Sequence, residues 1–267
     1  MSERNTTLVI ERPEDLWRGR SRREFLRVLG VGGTVVLLPS AFAACDDDDD
    51  PVNPGGTAVT LDLRTDTGIL NYAYALEQLE AAFYVAVLAS TSFNGMTTEE
   101  KEVLTDLRNH EVVHRQFFAQ VLGTAKIRDL ALDATTVTTA TSSAVNILKT
   151  AETFEDLGVA AYNGAGKYLT SAANLLVAGK IVSVEARHAA AIRDIRDARG
   201  GLAGTPANTR FAGDDITDAN GRDVVLEPAS VLSRVIASGF VTTSVTISNP
   251  PVAETGSGEF GPPNPTP

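Results

Sequence analysis

The sequence predicts an all-α protein: a four-helix bundle made of two helix hairpins, joined by one long crossover and followed by a short extra helix. Three observations predict it. Four stretches of the 267-residue chain place apolar residues at the 3-4-3-4 spacing of a buried helix seam. Turn and cap signals leave short connections after the first and third stretches and a long one after the second. Composition agrees: 43% of residues are hydrophobic with Ala abundant, while aromatics reach only 6%, which suits one helical core plus tails.

Taken in order, residues 1–44 read as an export signal outside the fold. Ser21-Arg22-Arg23-Glu24-Phe25-Leu26-Arg27 resembles the twin-arginine export motif, and Val28–Ala44 adds an apolar stretch too short for a membrane span. Phe42-Ala43-Ala44-Cys45 resembles a lipobox, which implies cleavage before Cys45 and lipidation of its new N-terminus. The implied partners are the twin-arginine export machinery and the membrane, and the implied location is the cell envelope or periplasm. Residues 45–66 read as an acidic flexible tether, because Asp46–Asp50 is a run of like charges followed by Pro51, Pro54, Gly55 and Gly56.

The bundle is expected over residues 67–199. Its first helix runs from about Thr67 to Ala89 on the seam Leu70, Ala73, Glu77, Glu80 or Ala81, Tyr84 and Leu88. Ser90–Met96 turns the chain. Thr97 with Glu100 three residues on is a capping box that opens the second helix, which ends near Leu122–Gly123. Gly123–Thr141, rich in Thr and Ala, lacks a helical period and reads as the crossover. The third helix spans about Ser142–Tyr162 on the seam Leu148, Ala151 or Glu152, Glu155, Gly158 and Tyr162, with Asn163-Gly164-Ala165-Gly166 interrupting or ending it. The fourth runs from about Ser171 to Arg199 and stops at Gly200-Gly201. Residues 200–249 are expected to form a loop (Ala203–Arg222), a short amphipathic helix on the bundle (Glu227–Gly239) and a short strand (Val241–Ile247). Pro, Gly and Asn content predicts disorder over 250–267.

Two seams carry an unusual pair. The second reads Leu104, Leu107, Glu111, His114, Phe118, Val121, and the fourth Ala178, Ile181, Glu185, His188, Ile192, Ile195. Glu and His three residues apart share one helix face, and two of the chain's three histidines fall in these pairs. The other two seams carry a Glu with a Tyr seven residues later: Glu77 with Tyr84, and Glu155 with Tyr162. Carboxylates on a buried seam are costly unless a partner or a metal neutralises them. A bundle with polar seam residues and no metal is the plainer reading, and it leaves that cost unanswered.

The order Glu, Glu-x-x-His, Glu, Glu-x-x-His resembles the ferritin-like di-iron carboxylate pattern. Asn71-Tyr72-Ala73, Leu76–Tyr84 and Glu155–Tyr162 look like characteristic stretches of exported ferritin-like domain proteins, and the resemblance covers Thr67–Arg199. It implies that Glu77, Glu111, His114, Glu155, Glu185 and His188 ligate two metal ions, with Glu111 and Glu185 bridging them and one histidine on each. Four carboxylates and two neutral imidazoles balance two divalent ions. Oxygen and nitrogen donors without thiolate suit iron or manganese, and zinc is also compatible. Glu80 and Glu152, each three residues from a seam Glu, are further candidates that either replace it or add to it. Tyr84 and Tyr162 orient ligands or act as radical sinks, or else are seam residues with a satisfied hydroxyl. His110, one residue before Glu111, is expected to face the surface or a loop.

The implied function is an exported, membrane-tethered ferritin-like protein working in iron oxidation or in peroxide and oxygen redox chemistry. The alternatives are a di-manganese catalase-like enzyme and a non-enzymatic metal-binding or structural envelope protein. The single cysteine excludes an intrachain disulfide, a thiolate cluster and a rubredoxin-like iron site. A net charge of −11 offers no support for nucleic-acid binding. A lipid tether and long tails disfavour a closed cage, whereas a homodimer is compatible.

Overall fold

Strand β1 (Ala58–Asp62) leads into α1 (Asp66–Ala89), and a one-turn helix then connects it to α2 (Thr98–Leu122). The structure, a computed structural model, describes residues 58–200 and 215–251. After α2 come a short α3 (Ala134–Ala140), α4 (Ala144–Gly166), α5 (Ala172–Ala198), α6 (Pro228–Ala237) and β2 (Ser244–Asn249). Helices α1 and α2 form one hairpin and α4 and α5 the other, with α1 beside α4 and α2 beside α5. The expected four-helix bundle with a long crossover and a short C-terminal helix is therefore the observed one. Among the described residues no helix is long and apolar enough to cross a membrane. The export signal, Cys45, the acidic run and the tail from residue 252 lie outside the described residues.

Each long helix starts where a side chain can satisfy its free N–H groups. Thr65 accepts from Gly68 N on α1, Ser143 from Asn146 N on α4, and Ser171 from Asn174 N on α5. The capping box on α2 is complete: Thr97 accepts from Glu100 N, and the Glu100 carboxylate accepts from Thr97 N. Asp66 ties two helix starts together, accepting from Thr170 N at 2.8 Å, Ser171 N at 3.0 Å and Asn174 Nδ2 at 2.7 Å.

Three expectations need correction. The crossover contains α3, held by Asp133, which accepts from Thr136 N. Its Thr and Val content hid the helix, because those residues carry weak helical propensity and no seam. The Gly164-Gly166 stretch does not end the third helix, since α4 runs through Gly166. Gly164 is instead a landing site: a Cβ there would lie 1.8 Å from Leu226 O, and Leu226 N donates to Ala160 O at 3.0 Å. Only a residue without a side chain lets the C-terminal segment approach that closely.

The third correction concerns the tether. It was expected to run to residue 66, yet Ala58–Asp62 pairs in parallel with Ser244–Asn249, with Val59 opposite Val245 and Leu61 opposite Ile247. Val59 and Leu61 are buried. Gly68 allows the close approach of α1 to this strand, because a Cβ there would overlap Asp62 O.

The crossover is pinned to α1 by two amides one heptad apart. Asn71 donates to Ala125 O at 2.8 Å and accepts from Ile127 N at 2.7 Å, and Gln78 accepts from Leu130 N at 2.6 Å. Apolar layers lie along the bundle on both sides of the seam acids. Leu104, Leu107, Ile192 and Ile195 belong to the larger cluster, and Phe118, Leu122 and Ile181 to the smaller.

Candidate metal centre

The seam positions that should hold aliphatic residues hold Glu77 on α1, Glu111 on α2, Glu155 on α4 and Glu185 on α5, each fully buried. His114 and His188 follow one turn after Glu111 and Glu185, with side chains 12% and 4% exposed. All six meet between the hairpins. His114 Nδ1 lies 3.4 Å from Glu77 Oε2, 3.6 Å from Glu111 Oε2 and 3.0 Å from Glu185 Oε1. His188 Nδ1 lies 2.9 Å from Glu111 Oε1, 3.3 Å from Glu155 Oε2 and 3.7 Å from Glu185 Oε2.

Glu111 and Glu185 thus turn one oxygen to each histidine, whereas Glu77 and Glu155 each face one side. The result is two overlapping donor sets, Glu77, Glu111, His114, Glu185 and Glu111, Glu155, Glu185, His188. Within each set one ligand atom per residue lies within 4.8 Å of the others. Two tyrosines cross the bundle to the end carboxylates. Tyr84, on the Glu77 helix, donates to Glu155 Oε1 at 2.5 Å, and Tyr162, on the Glu155 helix, donates to Glu77 Oε1. Their hydroxyls are satisfied, and they orient both carboxylates.

The donor set fits cations. Eight of its buried atoms form no hydrogen bond: Glu77 Oε2, both oxygens of Glu111 and of Glu185, Glu155 Oε2, and Nδ1 of both histidines. Each such atom costs about 1–3 kcal/mol, so the group together rivals the ~5–15 kcal/mol of a whole domain's stability. Protons on the two rings offset part of it. Burial opposes the charged form of His188, but Glu155, Glu111 and Glu185 outweigh it and push the ring up to about 12. Glu77, Glu111 and Glu185 likewise drive His114 far above the usual imidazole range against its burial. Burial raises Glu185 too, yet both rings beside it hold it at about 2. Burial carries Glu155 up to about 7, and burial together with Glu185 and Glu77 takes Glu111 well above the carboxylate range. A metal ion in place of those protons would answer the buried carboxylates and the ring lone pairs together.

A family model for the ferritin-like domain matches residues 65–198, half of the chain. The chain belongs to the ferritin-like domain family. A search of curated proteins finds no match. The matched span ends where α5 ends, so the ferritin-like domain takes in both hairpins and the buried Glu/His cluster that can hold metal.

Two further candidates separate here. Glu152 is drawn away from the ferritin-like centre by an ion pair with Arg196. Glu80 is buried beside it, with Oε2 unpartnered, but belongs to neither donor set. Burial and then Glu111, Glu185, Glu155 and Glu77 raise its carboxyl well above the usual range. Gly158 makes room for it, since a Cβ there would lie 3.0 Å from Glu80 Oε1.

His110 does not simply face outward. Its Nδ1 lies 2.9 Å from His188 Nε2, and the two rings lie edge to edge, near-parallel, with centroids 5.1 Å apart. The signal was in the run His110-Glu111-Val112-Val113-His114, whose H-E-x-x-H spacing puts both histidines on one helix face. In zinc proteases such a pair shares one ion, whereas His110 here reaches the ring of another helix.

Proposed function

We propose that this ferritin-like protein holds a dinuclear iron or manganese centre and serves iron oxidation or peroxide and oxygen chemistry at the cell envelope. One observation carries the reading: Glu111 and Glu185 each present one oxygen to His114 and the other to His188. A single ion would not require such shared carboxylates. Glu77 and His114 would complete one position, and Glu155 and His188 the other. Such a pair of ions, when bound, supplies one-electron changes of oxidation state towards dioxygen or peroxide. The chain's own residues keep the ligands in place: Tyr84 and Tyr162 each fix one oxygen of an end carboxylate and leave the other free. The apolar layers above and below restrict water, which strengthens the attraction between acids and cations. Support for export and lipid anchoring comes from the Ser21–Arg27 and Phe42–Cys45 motifs; export of already folded chains is compatible with metal loading before transit.

Protein purified without chelators should carry about two ions of iron or manganese per chain. Replacing both Glu111→Ala and Glu185→Ala should abolish that content. Wild type that carries no metal and gains no thermal stability from Fe(II) or Mn(II) would overturn the proposal. Oxygen uptake on adding Fe(II) supports a ferroxidase, and oxygen release from peroxide without a reductant supports a manganese catalase. Bound metal with neither activity removes the redox assignment and leaves a metal-binding envelope protein.

A further inference from the structure

The two halves of the cluster repeat one another along the helices, Glu77 with Tyr84 matching Glu155 with Tyr162, and Glu111 with His114 matching Glu185 with His188. The repeat fails at one place. The residue before the first Glu of the Glu-x-x-His pairs is His110, and the residue before the second is Val184. His110 on α2 reaches across to α5 and meets His188 Nε2 at 2.9 Å, with the two rings only 7° from parallel. No described side chain hydrogen-bonds Nε2 of His114, and that ring is three times as exposed as His188. The roles within the pair follow from the inner nitrogen. His188 Nδ1 faces Glu111, Glu155 and Glu185. To offer them a metal rather than a proton, the neutral ring must carry its hydrogen on Nε2. That hydrogen then points at His110 Nδ1, which accepts it.

We propose that His110 is a positioning residue that makes the two halves of the centre unequal. By accepting from His188 Nε2 it fixes the tautomer and the tilt of that ring. The half formed by Glu111, Glu155, Glu185 and His188 is thereby preorganised and shielded, and it loads first. The half formed by Glu77, Glu111, Glu185 and His114 has a ring that answers to solvent, and it loads second and exchanges faster. Hydrogen-bond partners of metal-bound histidines commonly change affinity by about tenfold to a hundredfold, enough to separate two otherwise matching positions. The inference rests on the dinuclear reading.

The test uses Co(II) as the probe, added to the full chain and to two variants. Wild type should take up two equivalents in two steps of unequal affinity. His110→Ala should weaken the tighter step by about tenfold to a hundredfold and leave the weaker step unchanged. His110→Gln, whose amide oxygen can accept the same N–H, should recover most of the loss. Paramagnetic NMR of the loaded protein should show one slowly exchanging imidazole N–H in wild type that exchanges rapidly in His110→Ala. Thermal unfolding of the metal-free variants checks that each remains folded, with His110→Ala expected to melt somewhat lower than His110→Gln. Equal affinities in wild type overturn the inference while the dinuclear reading stands, as does a His110→Ala titration identical to wild type or weakened equally at both steps. Wild type that binds fewer than two Co(II) overturns both.

Discussion

Glu77 and Glu155 sit where a helix seam tolerates a carboxylate only if something holds it, and a tyrosine from the opposite hairpin holds each one. Tyr162→Phe should leave Glu77 Oε1 without its donor and cost metal-free protein about 1–3 kcal/mol in denaturant unfolding. Tyr84→Phe should cost a similar amount at Glu155, and unequal losses would contradict the matched roles. A second expectation concerns protons. Without metal, neighbouring carboxylates outweigh burial and raise both imidazoles, His188 up to about 12, so the rings favour holding protons at neutral pH. A metal needs those lone pairs and ionised carboxylates, so binding must expel protons from the site. Affinity should therefore fall as pH falls, and a weakly buffered titration with an indicator dye should count the release. That these six residues meet at one point was legible from spacing, because seam positions on four packed helices converge by construction. His110 was not. Helical period assigns a residue to a face of its own helix and says nothing about a ring arriving from another.

Helix ends were legible wherever a cap marks them, as at Thr97 and Ser171, and illegible where tertiary contact decides. Glycine shows the difference. Gly164 and Gly179 both lie inside helices, and helical propensity alone would favour alanine at each by up to about 1 kcal/mol. Gly179 has nothing within 4 Å of where a Cβ would stand, whereas Gly164 has Leu226 O at 1.8 Å. Gly179→Ala should thus raise the melting temperature slightly. Gly164→Ala should destabilise by about 1–3 kcal/mol through overpacking, with loss of the Leu226 N to Ala160 O bond. Calorimetry of the two variants checks the contrast. Sequence reading took Gly164 for a breaker because glycine usually is one; the crossing backbone that needs it arrives from residues more than sixty positions later. The same limit hid β1, whose five residues carry no signal without their partner strand.

At the largest scale described, the bundle of residues 66–198 is closed from outside. The C-terminal segment lays α6 on α4, pairs β2 with β1, and supplies Phe240 to the Phe83 and Phe154 rings at 6.2 and 4.9 Å. Arg193, buried on α5, joins Asp156 of α4 to Asp215 of the same segment. A chain ending before Ser244 should lose the buried Val245 and the cover over Val59 and Leu61, about 2–4 kcal/mol by side-chain burial. Its metal content should survive, because every donor lies on α1, α2, α4 or α5. Urea unfolding beside metal analysis separates the two outcomes.

The pairing of β1 with β2 also sets a timetable. Thr60 and Thr246 face each other across a separation of 186 residues. During translation, β1 leaves the ribosome long before its neighbour exists. The four helices can gather as they emerge, but the last seam waits for β2. A nascent chain therefore presents an unpaired strand edge until residues 244–249 emerge.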